Sequence, residues 1–364
     1  MGKGPAVGDV VQVGAADRGR AAGSAGPVSF ELDPACADGP ASADASAPAE
    51  PAGPAPATAP AGPAPADAAS VNRFGKLSEL RVRAEARAGK TAVPGLYASM
   101  PFKVMHPLRP AAALPGLGDA AIAAAPAQLM VMSVSAGIMA GDRQRVQVKV
   151  GPGAALSVTT QAFEKIHRMD DGASASRETV LSVGRGAYLD YEPLPQVPFA
   201  GSSFSSATVA ELADASSRLV YGEILSCGRV ARNERFGYRR YRNRVEVRVA
   251  GDPVFIDNTV YEPESTGGAM DMEGIGFYEG FTHLANLVLV NLGITDERFD
   301  AVRAYLLEQT GVIGASAKVR SGAAEDDALA GGITRLASGD CLVKLLGHRA
   351  QRLQQALAGV RALL

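Results

Sequence analysis

The stretch that decides the fold is residues 129–171, which read LMVMSVSAGIMAGDRQRVQVKVGPGAALSVTTQAFEKIHRMDD. Over Arg143–Val150, valine alternates with polar side chains, and a period of two residues is typical of a half-buried strand. Gly151-Pro152-Gly153 then turns the chain, and the alternation resumes at Leu156 and Val158. The pattern predicts a central β-hairpin.

Short alternating strands separated by glycine turns continue on both sides of this hairpin. Turns that recur about every ten residues favour a mainly β architecture, in which antiparallel sheets stack on one another. Two α-helices are predicted in the C-terminal half. One covers Glu297–Gln309 with Asp296 as its cap, and the other covers His348–Leu364 with leucine and valine on one stripe.

Residues 1–71 differ in composition from the rest of the chain. They are dominated by Ala, Pro, Gly, Asp and Ser, with almost no large apolar side chains. Such a segment cannot bury enough surface to offset its loss of conformational entropy, so the sequence predicts a disordered extension. The predicted β domain covers residues 72–364.

Charge and cysteine content narrow the class of protein. A formal net charge of −2 argues against nucleic acid as a main partner. The three cysteines are far apart in sequence and form neither a disulfide framework nor a zinc motif, which favours a reducing cytoplasm. No secretory signal pattern or membrane-length apolar run is visible, so neither secretion nor membrane insertion is expected.

Six extended runs resemble the urease accessory protein family UreD, also called UreH. They are SAGIMAGDR (135–143), LSVTTQAFEKIHRM (156–169), LDYEPLPQVPFAGSSF (189–204), YGEILSCGRVARNERFGYRRYRNRVEV (221–247), FIDNTVYEP (255–263) and GFYEGFTHLANL (276–287). They follow the order of the family, over a region from about residue 72 to the C-terminus.

This resemblance implies a helical β-fold and a scaffold without catalytic activity. Members of the family bind the partner UreF and, through it, the GTPase UreG, and they dock on the apo-urease subunits. The resemblance also implies that nickel(II) passes transiently through such an assembly into urease, so no tightly bound cofactor is expected in this chain.

A nickel path needs weak, spaced oxygen, nitrogen or sulfur ligands rather than a closed cage. The four histidines lack the HxH or HExxH spacing of a tight site. The candidate residues for such a path are Asp142, Glu164, His167, Asp190, Glu223 and Cys227. Each has an alternative interpretation as a solvated or hydrogen-bonded strand residue, and Cys227 as a small buried hydrophobe.

Other segments have competing interpretations. Gly137–Asp142 is similar to a phosphate loop but lacks the following Lys-Ser/Thr, which favours a tight turn between strands. The basic segment Arg229–Arg248, with interleaved aromatic residues, fits a polar sheet face or a protein interface better than nucleic-acid binding. Glu273–His283 is a candidate partner-contacting loop or an ordinary turn.

Two other functions compete with the accessory role. Paired carboxylates on a β scaffold, Asp190/Glu192 or Asp257/Glu262, could serve a hydrolase that cleaves glycosides. The absence of Trp and an aromatic content of only 5% weaken that hypothesis, because sugar grooves use aromatic platforms. The other alternative is a protein-binding module that works without metal.

Overall fold

A computed structural model describes residues 77–110, 114–117, 124–310 and 327–364. The predicted disordered extension, residues 1–71, lies outside this range.

Seven strands form sheet A and ten form sheet B in the described residues. Sheet A contains β1 (Leu77–Arg87), β2 (Lys90–Ala98), β5 (Arg143–Val150), β8 (Ala175–Val183), β11 (Ser203–Leu212), β13 (Arg240–Val249) and β14 (Asp252–Tyr261). Sheet B contains β3 (Phe102–Val104), β4 (Ala127–Ser133), β6 (Ala155–Thr160), β7 (Glu164–Ile166), β9 (Tyr188–Glu192), β10 (Gln196–Pro198), β12 (Arg218–Ser226), β15 (His283–Val290), β16 (Leu329–Arg335) and β17 (Cys341–Gly347).

The middle of the chain coils between the two sheets. Successive long strands alternate between sheet B and sheet A, so that β4, β6, β9 and β12 lie in one sheet and β5, β8, β11 and β13 in the other. Neighbouring strands within each of these two sets pair in parallel. The result is a solenoid-like β stack, which confirms the mainly β, helical fold.

The antiparallel part of the prediction needs a correction. Antiparallel pairs occur toward the ends of the sheets, such as β1 with β2 and β13 with β14, whereas the pairs inside the stack are parallel. The predicted hairpin is also wrong, because β5 belongs to sheet A and β6 to sheet B. Gly151-Pro152-Gly153 forms a corner between the sheets, and the next corner stacks beside it through the hydrogen bond from Gly153 N to Arg185 O.

Inward-facing valine, leucine and alanine fill the space between the sheets. Val148, Leu181 and Val247 are at most 1% exposed and belong to this inter-sheet core. A second core lies between the outer face of sheet B and the two helices. Alternation produces the inter-sheet core, as in β5, where every second side chain is buried. Strands of sheet B that are covered on both faces, such as β15, are buried at nearly every position.

The two helices agree with the predicted positions. α1 covers Asp296–Thr310 and α2 covers Ala350–Ala362. Asp296 begins α1 rather than capping it, because the Thr295 hydroxyl accepts the Arg298 backbone N–H at 3.3 Å. No helix among the described residues is long and apolar enough to cross a membrane.

Candidate functional site

A row of polar side chains crosses the largely apolar interior of the stack. Gln144, Arg177, Ser206 and Asn243 occupy matching positions on β5, β8, β11 and β13, because those four parallel strands are in register. All four are at most 9% exposed. The alternation of the strands directs them inward, toward sheet B.

Glu223 meets this polar row from β12. The Tyr221 hydroxyl and the Asn243 side-chain amide donate to its Oε2 at 3.0 and 2.9 Å. The Asn286 amide donates to its Oε1 at 2.9 Å. Burial raises the pKa of Glu223, and these three donors oppose the shift. No lysine or arginine of the described chain pairs with this carboxylate, so it is a half-buried acceptor held by neutral donors.

Asp190 and Glu192 share one arginine under α2. Arg361 donates to Asp190 Oδ2, and its Nη1 lies 3.1 Å from Glu192 Oε2. Ser157 Oγ donates to the same Asp190 oxygen at 3.3 Å. Asp190 Oδ1 is buried and accepts no hydrogen bond from the described residues. Burial raises the pKa of both carboxylates, and Arg361 opposes that shift.

Glu164 is already neutralised. It forms an ion pair with Arg177, whose Nε also donates to Gln144 Oε1 at 3.0 Å. Burial acts to lower the pKa of Arg177, but the Glu164 carboxylate outweighs that effect and the pKa is raised. The guanidinium therefore remains charged inside the stack, and sequence analysis did not identify it as a functional residue.

The remaining candidates have structural partners. Asp142 Oδ2 accepts the Met139 backbone N–H at 2.8 Å in the turn before β5. His167 Nε2 lies 3.0 Å from Ala136 O, and its ring packs on Phe199 with centroids 4.8 Å apart. Cys227 is 0% exposed in an apolar cluster, and burial raises the pKa of its thiol to about 11.

Three neighbouring cavities follow one another along the interior. Cavity A, of about 130 Å³, lies between the sheets beside Arg177 and Tyr191. Cavity C, of about 220 Å³, lies under α2 beside Glu192 and Arg361 and shares Thr159, Pro193 and Leu194 with cavity A. Cavity B, of about 20 Å³, is lined by Asn243 and Asn286 and shares Glu223 and Ile224 with cavity C.

A short interruption in sheet B brings cavities B and C together. β9 pairs with β12 only as far as Tyr221, and β10 pairs with it again at Leu225. Gly222 lies in the interruption, where an added Cβ would meet Glu192 Cγ at 3.1 Å. A glycine here therefore leaves the space that the Glu192 side chain occupies.

The structure brings together only some of the predicted site residues. Glu223 lines two cavities and Glu164 lines cavity A, while Asp190 is bound to the Arg361 side chain that lines cavity C. No group of three or more His, Cys, Asp or Glu side chains in the described ranges could hold a metal ion. Arg361, Asn243 and Asn286 were missed because their neighbours come from distant parts of the sequence.

The carboxylate pairs proposed for a hydrolase have other partners. Asp190 and Glu192 are bound to Arg361, as described above. Asp257 lies 3.3 Å from Lys344 and accepts the Thr259 hydroxyl, and Glu262 lies 2.9 Å from Arg240. These pairs are occupied in holding the fold.

The aromatic rings of the basic segment Arg229–Arg248 are buried. Phe236, Tyr238 and Tyr241 are at most 3% exposed, and they pack against one another in a core cluster. Several of the arginines in the segment form ion pairs with nearby glutamates, including Arg229 with Glu234. A structural role for these rings follows from this packing.

These features define a two-sheet β stack whose interior combines apolar layers with buried, paired ionic groups. The chain belongs to the UreD family of urease accessory proteins, because the model of the family described as UreD urease accessory protein matches residues 76–364. Urease accessory protein UreH of Helicobacter pylori strain G27 is 36% identical over 252 residues, which cover 69% of this chain and 87% of the relative. Urease accessory protein UreD of Acetivibrio thermocellus is 33% identical over 293 residues, 80% of this chain and 99% of the relative.

A more distant relative agrees with this membership. Urease accessory protein UreD of Actinobacillus pleuropneumoniae serotype 5b is 30% identical over 266 residues, which cover 73% of this chain and 88% of the relative. Because the family and these relatives are accessory proteins, the chain is a urease maturation factor and not a catalytic enzyme.

Proposed function

We propose that this chain is a cytoplasmic scaffold that works with UreF and the GTPase UreG on apo-urease and helps to deliver nickel(II). In this role nickel(II) is a transient cargo, and the chain itself performs no catalysis. Its family membership supports the accessory part of the proposal. The observation that carries the metal part is Glu223, a half-buried carboxylate that lines two cavities and is held by neutral donors.

The charged residues that line cavities B and C favour a cation over an anion. Glu223 is the charged residue in the wall of cavity B, and cavity C is lined by Glu192, Glu223 and Arg361. Each of these cavities therefore has one more carboxylate than it has cationic groups. Asp190 adds an unpaired buried oxygen beside Arg361. Carboxylate oxygens spaced along a path suit a divalent cation that has to leave again.

The proposed cation route follows Glu223, which lines cavities B and C. Asp190 lies in none of the three cavity walls and joins the route only through Arg361, which lines cavity C. Glu164 is less suited to bind a passing cation, because Arg177 already neutralises it inside cavity A. Asp142, His167 and Cys227 belong to none of the three cavity walls. They enter the proposal as residues that hold the turns and the core around the route.

The loop between β14 and β15 is a proposed contact for one of the protein partners. Ile275 is 95% exposed there and Phe277 is 38% exposed, whereas Tyr278 is buried at 1% and anchors the loop. Exposed apolar side chains on an anchored loop are typical of protein interfaces.

The test is activation of apo-urease by nickel(II), with UreF, UreG and GTP present, in the presence and absence of this chain. We expect urease activity and urease-bound nickel, measured by elemental analysis, to rise together only when the chain is included. Equal activation without it would refute the accessory role in nickel delivery. Complex formation with UreF and urease but unchanged nickel loading would support the metal-independent binding module instead.

A further inference from the structure

We propose that cavity A binds a small carboxylate attached to an apolar group about the size of one aromatic ring. This proposal is separate from nickel delivery, because it concerns a different cavity and the opposite charge. The cavity wall includes apolar side chains on the inner faces of both sheets, among them Leu80, Val146 and Val158. These side chains are at most 4% exposed, so the wall is part of the inter-sheet core.

The size of cavity A limits the apolar part of the ligand. Its volume is about 130 Å³. An engineered apolar cavity of about 150 Å³ is large enough to bind benzene. One ring-sized group therefore fills cavity A. The lining residues Ser133, Ser135 and Gln161 are exposed, so the cavity has a polar rim that opens to solvent.

Arg177 provides a recognition group for an anion. Its side chain forms part of the cavity wall and is only 9% exposed. Nε and Nη2 donate to Gln144 and Glu164. Nη1 donates to no residue in the described part of the chain, which leaves N–H donors available. A guanidinium fixed in this way suits a carboxylate, and burial strengthens the charge-assisted hydrogen bond.

The charge of the lining favours an anion over a cation. The charged residues of the wall are Arg177, Lys165 and Glu164, so positive groups outnumber negative ones by two to one. Glu164 is occupied by Arg177, while Lys165 is exposed. Because Glu164 is paired with Arg177, the excess positive charge of the wall is that of Lys165. A carboxylate bound beside Arg177 would have its apolar body between the sheets.

The test compares 3-phenylpropionate with the neutral 3-phenylpropanamide on the full chain, by saturation-transfer NMR and isothermal titration calorimetry. We expect the acid to bind saturably and the amide to bind at least about ten-fold more weakly, because the amide lacks the charge-assisted hydrogen bond. An N-acetyl-glycyl-phenylalanine probe with a free C-terminus distinguishes the source of the ligand. Tighter binding of this probe supports a protein C-terminus, and weaker binding supports a free small acid.

A matched pair of double variants separates recognition from folding. Arg177→Met with Glu164→Gln removes the guanidinium without leaving a buried carboxylate unpaired, and we expect about a ten-fold loss of affinity for the acid. The control, Arg145→Met with Glu178→Gln, removes an ion pair of 3.6 Å between β5 and β8, where both side chains are about half exposed. It should bind the acid normally.

Blocking the rim provides a variant that does not alter the buried ion pair. Ser133→Phe places a ring at the exposed mouth of cavity A, and we expect it to abolish binding of 3-phenylpropionate.

Three results would overturn the proposal: no saturable binding to the unmodified chain, equal binding of acid and amide, or full affinity in the folded Arg177/Glu164 double variant.

Discussion

Glu223 is the residue at which a single substitution tests the proposed cation route most directly. Glu223→Gln keeps the size of the side chain and an acceptor for one of its donors, but removes the negative charge. Removing the charge relieves the cost of its burial, which raises the pKa of Glu223, but it leaves donors without an acceptor. Because these effects oppose each other, we expect the thermal midpoint of unfolding to change little. We expect nickel-dependent activation of urease to fall by about ten-fold, the size of one lost charged contact.

The control for this variant is Glu211→Gln. Glu211 lies on β11 with its side chain 41% exposed and paired to Arg248, so it belongs to the surface and not to the route. It should activate urease like the unmodified chain. Full activation by a folded Glu223→Gln protein would remove the main support for the cation route.

The lowered pKa of His283 makes the stability of the fold depend on pH. Burial, and then the neighbouring His348, lower the pKa of His283 from 6.5 to about 4, so it is neutral in the folded chain at neutral pH. Below pH 6.5 the unfolded chain takes up a proton that the folded chain excludes until pH reaches about 4. The contribution of neutral His283 to the free energy of unfolding is therefore fully present above pH 6.5. It is lost as the pH falls toward about 4, and the total loss is up to about 3 kcal/mol.

The measurement is the free energy of unfolding in urea at a series of pH values. His283→Gln should lose less stability than the unmodified chain as pH falls through this range, since it has no imidazole to protonate. His106→Gln, at an exposed position before β4, is the control and should follow the unmodified chain. Parallel curves for all three proteins would contradict the assignment.

Single residues were predicted with uneven success. The interpretation of Cys227 as a small buried hydrophobe agrees with its 0% exposure. The burial of Arg177 could not be predicted, because its neighbours on β5 and β11 come together only through strand register and Glu164 reaches it from β7 of the other sheet. Alternation indicates which side of a strand is buried, but it does not reveal which distant side chain lies opposite.

At the level of elements, most strands and both helices follow from the sequence, but the connections do not. Alternation identified β5 and β6, and the Gly-Pro-Gly turn between them was recognised. A hairpin and a corner between stacked sheets both need a short turn with glycine, so the turn cannot indicate whether the next strand pairs with the previous one. Two strands that pair in parallel are separated in sequence by a full turn of the β solenoid. A local sequence pattern does not extend that far, so it cannot indicate the pairing.

Helix α2 is connected to sheet B by one buried ionic contact, which gives a prediction at this scale. Arg361→Met should lower the free energy of unfolding by about 3–5 kcal/mol, because Asp190 would remain buried, and Glu192 half-buried, without their cation. Adding Asp190→Asn and Glu192→Gln should restore most of the loss. Arg303→Met, at an exposed position of α1, is the control and should change little. Urea unfolding of the four proteins measures these differences, and an unaffected Arg361→Met protein would contradict them.

The whole molecule depends on coils that each bury their apolar faces against the next. β1 lies between β2 and β5 in sheet A, so it joins the antiparallel edge to the parallel stack. Its inward residues Leu80, Val82 and Ala84 are at most 3% exposed and belong to the inter-sheet core. The first described strand is thus part of the cooperative fold.

The last prediction concerns where the functional unit begins. The family match starts at residue 76 and β1 starts at Leu77, so the accessory function should need nothing before them. We expect a chain lacking residues 1–70 to activate apo-urease as well as the full chain at equal soluble concentration. A chain lacking residues 1–82 is the matched control, because it removes Leu80 and Val82 from the core and should fail to fold, as judged by circular dichroism. Loss of activation by the shorter deletion, in a protein that remains folded, would show that the N-terminal segment takes part in urease maturation.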